Sequence, residues 1–138
     1  LLESALSEPE KALHMVNVFS RCSLASPSGA GFWVFGAGMA LGRKVLRSNP
    51  MVNVFHRGFN ACNTYANGEQ AMAQVTCPVL FALGEQDQMT PAKAAQTLVK
   101  AAQAAGKAVQ IRHLPSGHHQ MTEAPEETLA ALRDFLAQ

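Results

Sequence analysis

Two residues with the chemistry of a proton-transfer pair, Asp87 and His118, each follow a short segment that is predicted to be a strand. Asp87 comes soon after the apolar run 78–83, and His118 comes soon after the run 108–114. A carboxylate that accepts a hydrogen bond from one imidazole nitrogen fixes the tautomer, and the other nitrogen is then able to act as a base. Taken singly, Asp87 is an ordinary turn former and His118 an ordinary loop residue, so the prediction rests on their joint placement.

The elements around the pair predict how its two members meet. The pattern predicts, in order, a strand at 78–83, a helix at 90–105, a strand at 108–114 and a helix that begins at Pro125. Thr90 is predicted to cap the first of these helices and Gly106 to end it. The last helix carries four apolar residues on one face: Leu129, Leu132, Phe135 and Leu136. This βαβα order predicts an α/β fold with parallel strands, the first buried on both faces, whose carboxyl ends share one edge.

The front half of the chain is predicted to be helical. Ser7 and Glu10 have the spacing of a capping box around Pro9, which predicts a helix from there to Cys22. The pattern then predicts a loop at 23–31, a short apolar run at 32–35, and helices at 39–47 and 52–65.

Composition narrows the class of protein. The 138 residues are 48% hydrophobic and carry a net charge of +1, which fits one globular domain and argues against disorder. The longest uncharged stretch, 22–42, contains five glycines and a proline, so no membrane association is predicted. Between Lys11 and Gly68 there are six basic residues and no acidic one, whereas the rest of the chain has five basic and ten acidic residues. The chain therefore has two electrostatic halves.

The basic half favours no nucleic-acid partner, because its charges are scattered. Arg43 and Arg47 do lie one helical turn apart. A solvated helix face, a surface complementary to an acidic partner and attraction of an anionic substrate are the three explanations that stay open. The three cysteines, Cys22, Cys62 and Cys77, form no CxxC pair and are odd in number, so they are predicted to be small buried residues in a reducing cytoplasm.

Residues 77–91, CPVLFALGEQDQMTP, resemble the segment of α/β-hydrolase-fold proteins that carries the acid of the catalytic triad. Residues 114–118, LPSGH, with EAPEE after them and an apolar final helix, resemble the histidine loop of that family. The resemblance covers about residues 72–138. It implies that Asp87 is the catalytic acid and that His118, directly after a glycine, is the general base. His119 fits that position less well.

The nucleophile of this family sits in a G-x-S-x-G elbow, and the sequence contains no such pentapeptide. The nearest cluster, SPSGAG at 26–31, lacks the leading glycine and is predicted to be a loop. The resemblance implies that residues 1–71 are a helical cap and 72–138 the C-terminal part of the core. We therefore expect a C-terminal fragment of a hydrolase acting on an ester or related carbonyl of a small-molecule substrate, inactive alone and without a cofactor. Trp33 and Met89 are the predicted substrate contacts.

Three alternatives compete with this interpretation. The run 32–42 has a Gly-x-Gly after an apolar segment, as in dinucleotide-binding loops, but its sixth position is Leu41 and no acidic residue follows before Glu69. A metal site would use four residues without zinc-site spacing: His113, His118, His119 and Glu123. The third is a non-catalytic module that self-associates, since a two-strand piece of a larger sheet has an exposed edge.

Overall fold

The computed structural model describes residues 1–21 and 31–138, and for residues 31–33 it describes the backbone alone. Its elements are α1 (Leu2–Ser7), α2 (Pro9–Phe19), α3 (Gly31–Ser48), α4 (Val54–Thr64), α5 (Gly68–Gln74), β1 (Val79–Gly84), a 3₁₀ turn (Ala92–Ala95), α6 (Gln96–Ala104), β2 (Val109–Leu114), α7 (Gln120–Glu123) and α8 (Pro125–Leu136). They form two compact units. Unit 1 holds the described residues of Leu1–Phe19 and Ser23–Ala66; unit 2 holds Asn67–Gln138 with the described residues of Ser20–Cys22.

Unit 2 contains the predicted pair of parallel strands. β1 and β2 are hydrogen-bonded in a register that runs from Val79 opposite Val109 to Gly84 opposite Leu114. Each strand ends within one residue of its predicted boundary, and the two carboxyl ends lie at the same edge. The predicted α/β fold is confirmed.

Helices cover the two faces of this sheet. On one face, Ile111 and His113 of β2 line an open groove together with side chains of α6. On the other face, Gln110 donates a hydrogen bond of 2.5 Å to Gln138, which follows α8. Successive side chains of a strand point to opposite faces of the sheet, so α6 and α8, which pack against alternate residues, lie on opposite faces.

Local sequence explains where the helices of unit 2 begin and end. α8 has Pro125 in its first turn, where a missing N–H costs nothing, with two glutamates beside it and Arg133 in the last turn, as the helix dipole favours. Gly106 follows α6 with a φ of 70°, a left-handed conformation that glycine adopts without a Cβ penalty. The predicted start of α8 and the predicted stop at Gly106 are confirmed.

Two predictions for unit 2 are wrong. Thr90 caps no helix, because the 3₁₀ turn begins at Ala92 and its N-cap, Pro91, makes no side-chain cap bond. β1 is not buried on both faces: Phe81 and Gly84 are buried and the other residues of the strand are half-buried. The apolar face predicted for α8 lies on a helix as expected, and three of its residues are exposed: Leu129, Leu132 and Leu136. The buried residues of α8 are Thr128 and Ala131.

Unit 1 is helical in its described elements, as predicted, but its boundaries differ. Ser7 ends α1 and its hydroxyl donates to the Glu3 carbonyl (3.1 Å), so it is not the cap of α2. Glu10 forms no capping box; it accepts hydrogen bonds from Arg43, whose Nη2 lies 2.8 Å from Oε2. α2 ends at Phe19 rather than Cys22. One of the basic residues on α3, Arg43, is therefore paired with a carboxylate.

The extent of helix α3 argues against the alternative that residues 32–42 form a dinucleotide-binding loop. The helix begins at Gly31, not at residue 39, and residues 32–35 lie inside it rather than in a strand. A phosphate-binding loop requires a strand, a tight turn and then a helix N-terminus, so Gly36 and Gly38 within one helix are unsuited to that role. The run from 31 to 42 contains no proline, so none of its residues lacks the backbone N–H that a continuous helix uses.

Two of the three cysteines differ from expectation. Cys62 and Cys77 are exposed free thiols, so the prediction that they are buried is wrong for both. Cys22 and the predicted loop at 23–31 lie, but for Gly31, outside the described residues. Within residues 1–21 and 31–138, no helix combines the length and apolar character needed to cross a lipid bilayer.

Candidate active site

Asp87 is held by four hydrogen bonds in the loop after β1. Its Oδ1 accepts from the backbone amides of Met89 (2.8 Å) and Thr90 (2.9 Å). Its Oδ2 accepts from the Thr90 hydroxyl (2.9 Å) and lies 2.9 Å from Nδ1 of His118. Two donors on each oxygen satisfy an ionised carboxylate, which has acceptor sites only. The loop therefore fixes both the position and the charge of Asp87.

Two opposing effects determine the pKa of Asp87. Burial raises the pKa and is the largest contribution, since only 4% of the side chain is exposed. The hydrogen bonds from the Thr90 amide, His118 and the Thr90 hydroxyl, with the charge of His118, together outweigh burial and hold the pKa below its usual value. Asp87 is thus ionised at neutral pH and able to accept from an imidazole.

His118 presents its two ring nitrogens to different surroundings. Nδ1 lies against Asp87 and is also 3.2 Å from the Thr90 hydroxyl. Because the carboxylate is only an acceptor, Nδ1 carries the proton of the hydrogen bond. No hydrogen bond among the described residues uses Nε2, and 40% of the side chain is exposed. The contact of Nδ1 with Asp87 orients the ring, and Nε2 is available to accept a proton.

A close backbone approach brings the two loops together. The amides of Glu85 and Gln86 donate to the carbonyls of Leu114 and Ser116, each at 3.0 Å, which extends the strand pairing into the loops. A Cβ on Gly84 would lie 2.4 Å from the Gly117 oxygen and 2.8 Å from the Ser116 oxygen. Those are backbone atoms, so only glycine permits this spacing.

The histidine loop is also anchored from its far side. The Gly117 amide donates to Oε2 of Glu123 (2.9 Å), a buried carboxylate at the end of α7. The His118 amide donates to the carbonyl of Ser20 (3.0 Å), which belongs to the same unit. The main chain at His118 is therefore held by two segments besides β2.

A buried acid and an exposed histidine on adjacent strand ends agree with the comparison of the chain with known proteins. The sequence model of the dienelactone hydrolase family matches residues 14–134. The chain belongs to the dienelactone hydrolase family. The family has the α/β-hydrolase fold, so the resemblance noted in the sequence is confirmed, and the chain is of the hydrolase class of that fold. Comparisons with curated proteins and with solved structures give no match.

The predicted substrate contacts of this dienelactone hydrolase family member stay predictions. Met89 is half-buried, and its sulfur accepts a hydrogen bond from the Ser20 hydroxyl at 3.0 Å. That bond ties the acid loop to the segment that also holds the His118 amide. The side chain of Trp33 and most of the serine-rich cluster at 26–31 lie outside the described residues.

His119 has a different environment from His118. Partial burial, the Arg21 guanidinium and His118 lower its pKa, against smaller opposing effects from the carboxylates of Glu123 and Asp87. The two rings meet edge to face with centroids 6.2 Å apart. The carboxylate of Asp87 is hydrogen-bonded to His118, not to His119.

The residues proposed for a metal site do not converge. His113 lines the groove beside α6, and Glu123 is engaged with the Gly117 amide. Across the described parts of the chain, no group of three or more His, Cys, Asp and Glu side chains is arranged to hold a metal ion.

Sequence reasoning missed three residues that shape the site. Thr90 is one of them: its position three residues after Asp87 is the spacing of an Asx-type turn, which the sequence itself indicates. Gly84 directly precedes the acid loop, where a glycine indicates close backbone approach. Glu123 belongs to the EAPEE segment of the resemblance, but the sequence gives no sign of its contact, because its partner is a main-chain amide six residues earlier.

Proposed function

We propose that this chain supplies the general base, His118, and its orienting acid, Asp87, for hydrolysis of a carboxylic ester or related carbonyl compound. The observation that carries the proposal is the 2.9 Å contact between Nδ1 and a carboxylate oxygen that is almost wholly buried. Such a carboxylate stabilises the imidazolium that forms when Nε2 takes a proton.

The chemistry divides into two balanced steps. Nε2 of His118 removes the proton of a nucleophilic hydroxyl or thiol as that atom attacks the carbonyl carbon, and the same proton then passes to the departing alkoxide. The acyl group stays on the nucleophile. A water molecule next attacks this acyl group, His118 accepts its proton, and the nucleophile leaves with that proton as the acid is released. Asp87 stays ionised throughout.

We further propose that the nucleophile comes from residues beyond the printed 138. The sequence has no G-x-S-x-G pentapeptide, and the base without a nucleophile does not complete an acyl-transfer site. In this proposal residues 72–138 are the C-terminal part of a hydrolase core and residues 1–71 its helical cap. The catalytic pair would be complete here and the triad would not.

The substrate class follows from the family. A dienelactone is a cyclic ester, so a lactone or an open-chain ester is the class we propose. Trp33 and Met89 are the residues proposed to contact it. Met89 lies two residues from Asp87 and its amide donates to that carboxylate, so a substrate contact there would be adjacent to the reacting groups.

The first test uses the 138-residue chain. With p-nitrophenyl acetate and a small lactone, we expect no turnover beyond that of the His118→Ala variant. Turnover that His118→Ala abolishes would refute the proposal that the nucleophile lies outside these 138 residues, and would support His118 as the base.

The second test uses the product of the gene read upstream of Leu1, where we expect a G-x-S-x-G elbow. In that product His118→Ala should lower kcat by about 10²–10⁴-fold, the usual contribution of a positioned acid–base group. Thr128→Val, which removes a hydroxyl that bonds only to main-chain carbonyls, is the matched control. Equal kcat for the parent and His118→Ala would refute the proposed base.

A second candidate function, self-association, is favoured by the surface of unit 2. In the described residues the sheet has two strands, so each strand has one edge without a neighbour, and α8 exposes Leu129, Leu132 and Leu136. The occupant we propose is a second copy of the chain, which would supply both a strand and an apolar face. Sedimentation velocity distinguishes the outcomes: a concentration-dependent dimer that Leu132→Glu abolishes supports it, and a monomer at high concentration refutes it.

A further inference from the structure

Two consecutive amides in the histidine loop are held by separate parts of unit 2. The Gly117 amide donates to Oε2 of Glu123 at 2.9 Å, and the His118 amide donates to the Ser20 carbonyl at 3.0 Å. The Gly117 oxygen, between them, lies against Gly84. Since these contacts fix the plane of the peptide on each side of Gly117, they determine the direction in which the His118 side chain leaves the backbone.

The short helix α7 explains why Glu123 reaches back to this loop. The amides of Thr122 and Glu123 both donate to the His119 carbonyl, at 2.9 and 3.0 Å, which closes one tight turn directly after the two histidines. The turn brings the Glu123 carboxylate within hydrogen-bond distance of the Gly117 amide. The next residue, Ala124, is buried, and α8 begins immediately after it. The packing of α8 therefore holds the carboxylate in place.

Burial makes this carboxylate costly unless it has a partner. Glu123 and Gly117 are both buried. A charged acceptor in such a place is stabilised by charge-assisted hydrogen bonds, and an amide that lost this acceptor would be left buried without one. The bond is thus stronger than an exposed bond between neutral groups.

We propose that Glu123 is a positioning residue for His118, which it orients by holding the Gly117 amide. The catalytic meaning of this inference rests on the proposed function, whereas the positioning concerns residues 117–123 alone. Among the hydrogen bonds between described residues, that of Glu123 reaches the Gly117 amide and those of the His118 ring reach Asp87 and Thr90, so the effect of Glu123 on His118 passes through the main chain.

The hydrogen bond of Glu123 is separable from its charge. Around His119, the charged and titratable groups that act on its pKa are Arg21, His118, Glu123 and Asp87. The Glu123 carboxylate acts to raise the pKa of His119. Glu123→Gln keeps an oxygen that accepts from the Gly117 amide but removes the charge, so it should lower the pKa of His119 further and leave His118 in place.

The test uses nuclear magnetic resonance on the intact 138-residue chain and needs no substrate. In Glu123→Ala, amide hydrogen exchange at Gly117 should accelerate about 10- to 100-fold, the range for loss of a hydrogen bond to a charged group. The Nδ1–H proton signal of His118 should broaden or disappear in the same variant. Glu123→Gln should restore both properties to those of the parent chain.

Thr128→Val is the matched control for loss of stability. The Thr128 hydroxyl donates to the carbonyls of Ala124 (2.6 Å) and Gln120 (3.2 Å), so its loss weakens the α7–α8 junction without touching the Gly117 amide. We expect Thr128→Val to lower overall stability and to preserve the His118 signal. Equal behaviour of Glu123→Ala and Thr128→Val at Gly117 and His118 would overturn the proposal, as would a Glu123→Gln variant as impaired as Glu123→Ala.

A measurement on the parent chain keeps the proposal testable if Glu123→Ala does not fold. A through-hydrogen-bond scalar coupling between the Gly117 nitrogen and the Glu123 carboxyl carbon is expected, and its absence refutes the contact. These readouts are independent of hydrolysis. If the coupling is present but His118→Ala leaves kcat unchanged, the proposed function is refuted and the positioning role is retained. If the coupling is absent but His118→Ala lowers kcat, the positioning role is refuted and the proposed function is retained.

Discussion

The loops at the carboxyl ends of β1 and β2 differ from helix α8 in how completely their groups are partnered. Both oxygens of Asp87 are doubly hydrogen-bonded, and successive amides at 117 and 118 each have an acceptor. On α8, by contrast, Leu129 and Leu132 are about half exposed and Leu136 is 79% exposed. The Asp87 carboxylate and the amides of residues 117 and 118 are all hydrogen-bonded within unit 2, whereas part of the apolar surface of unit 2 is not covered by the described residues.

The contrast shows that the two kinds of interaction need different amounts of chain. A hydrogen bond joins two groups, so a loop of a few residues is able to satisfy a carboxylate by itself. Burial is proportional to area and needs an opposing surface of similar size. The roughly seventy residues of unit 2 satisfy the hydrogen bonds of Asp87 but leave an apolar stripe of α8 exposed. Four predictions test this difference.

The largest expected effect is the difference between mutating a buried leucine, Leu114, and an exposed one, Leu136. Leu114 ends β2 beside the site and is 3% exposed. We expect Leu114→Ala to cost about 2–5 kcal/mol of unfolding free energy, because it leaves a cavity. Leu136→Ala should change the free energy by less than about 0.5 kcal/mol. Urea titration of both variants is the measurement, and equal losses would show that α8 is covered in solution by a second copy or another surface.

The next effect concerns the close approach of the loops. Gly84→Ala places a Cβ against two backbone oxygens, so the loops must separate, at a cost of about 3 kcal/mol. Gly36→Ala is the control, since its Cβ would meet nothing within 4 Å on helix α3 and alanine favours a helix by about 0.5–1 kcal/mol. Thermal unfolding should move in opposite directions for the two variants. A neutral Gly84→Ala would contradict the observed loop spacing.

A smaller effect, with a defined pH dependence, is expected at Asp87. Asp87→Asn should cost about 2 kcal/mol at pH 7, through loss of charge-assisted bonds. The native pKa of Asp87 lies below its usual value, so the stabilisation is complete above about pH 4 and is lost as the pH falls through the native pKa.

Urea midpoints from pH 7 to pH 2 provide the check on Asp87. The gap between the parent chain and Asp87→Asn should close below about pH 4. Asp134→Asn, which alters an exposed carboxylate on α8, should run parallel to the parent. A gap for Asp87→Asn that persists unchanged at pH 2 would contradict the assigned sign.

The smallest effect is expected inside the histidine loop at Ser116. Its hydroxyl is fully buried and has no hydrogen-bond partner among the described residues. Ser116→Ala removes that unsatisfied group and should be neutral or stabilising by up to about 1 kcal/mol. A destabilisation of more than about 1 kcal/mol in a urea titration would show that the hydroxyl does have a partner, such as water.

The fold of unit 2 was largely predictable, because its signals are local. A continuous apolar run, a glycine after a helix and Pro125 before another each act through the conformational preference of a few neighbouring residues. The same local logic failed at Thr90 and Ser7. Both are residue types that cap helices, but nearby acceptors, the Asp87 carboxylate and the Glu3 carbonyl, compete for their hydroxyls.

The sequence by itself determined the α/β class, the parallel pair of strands and the placement of Asp87 and His118 at one sheet edge. These follow from residue order and periodicity, which no distant contact has to supply. Tertiary structure alone decided that Glu123 holds the Gly117 amide, that Gly84 admits the histidine loop, and which leucines of α8 are covered. Those outcomes depend on distances between segments and on shared area, which exist only after the segments have packed together.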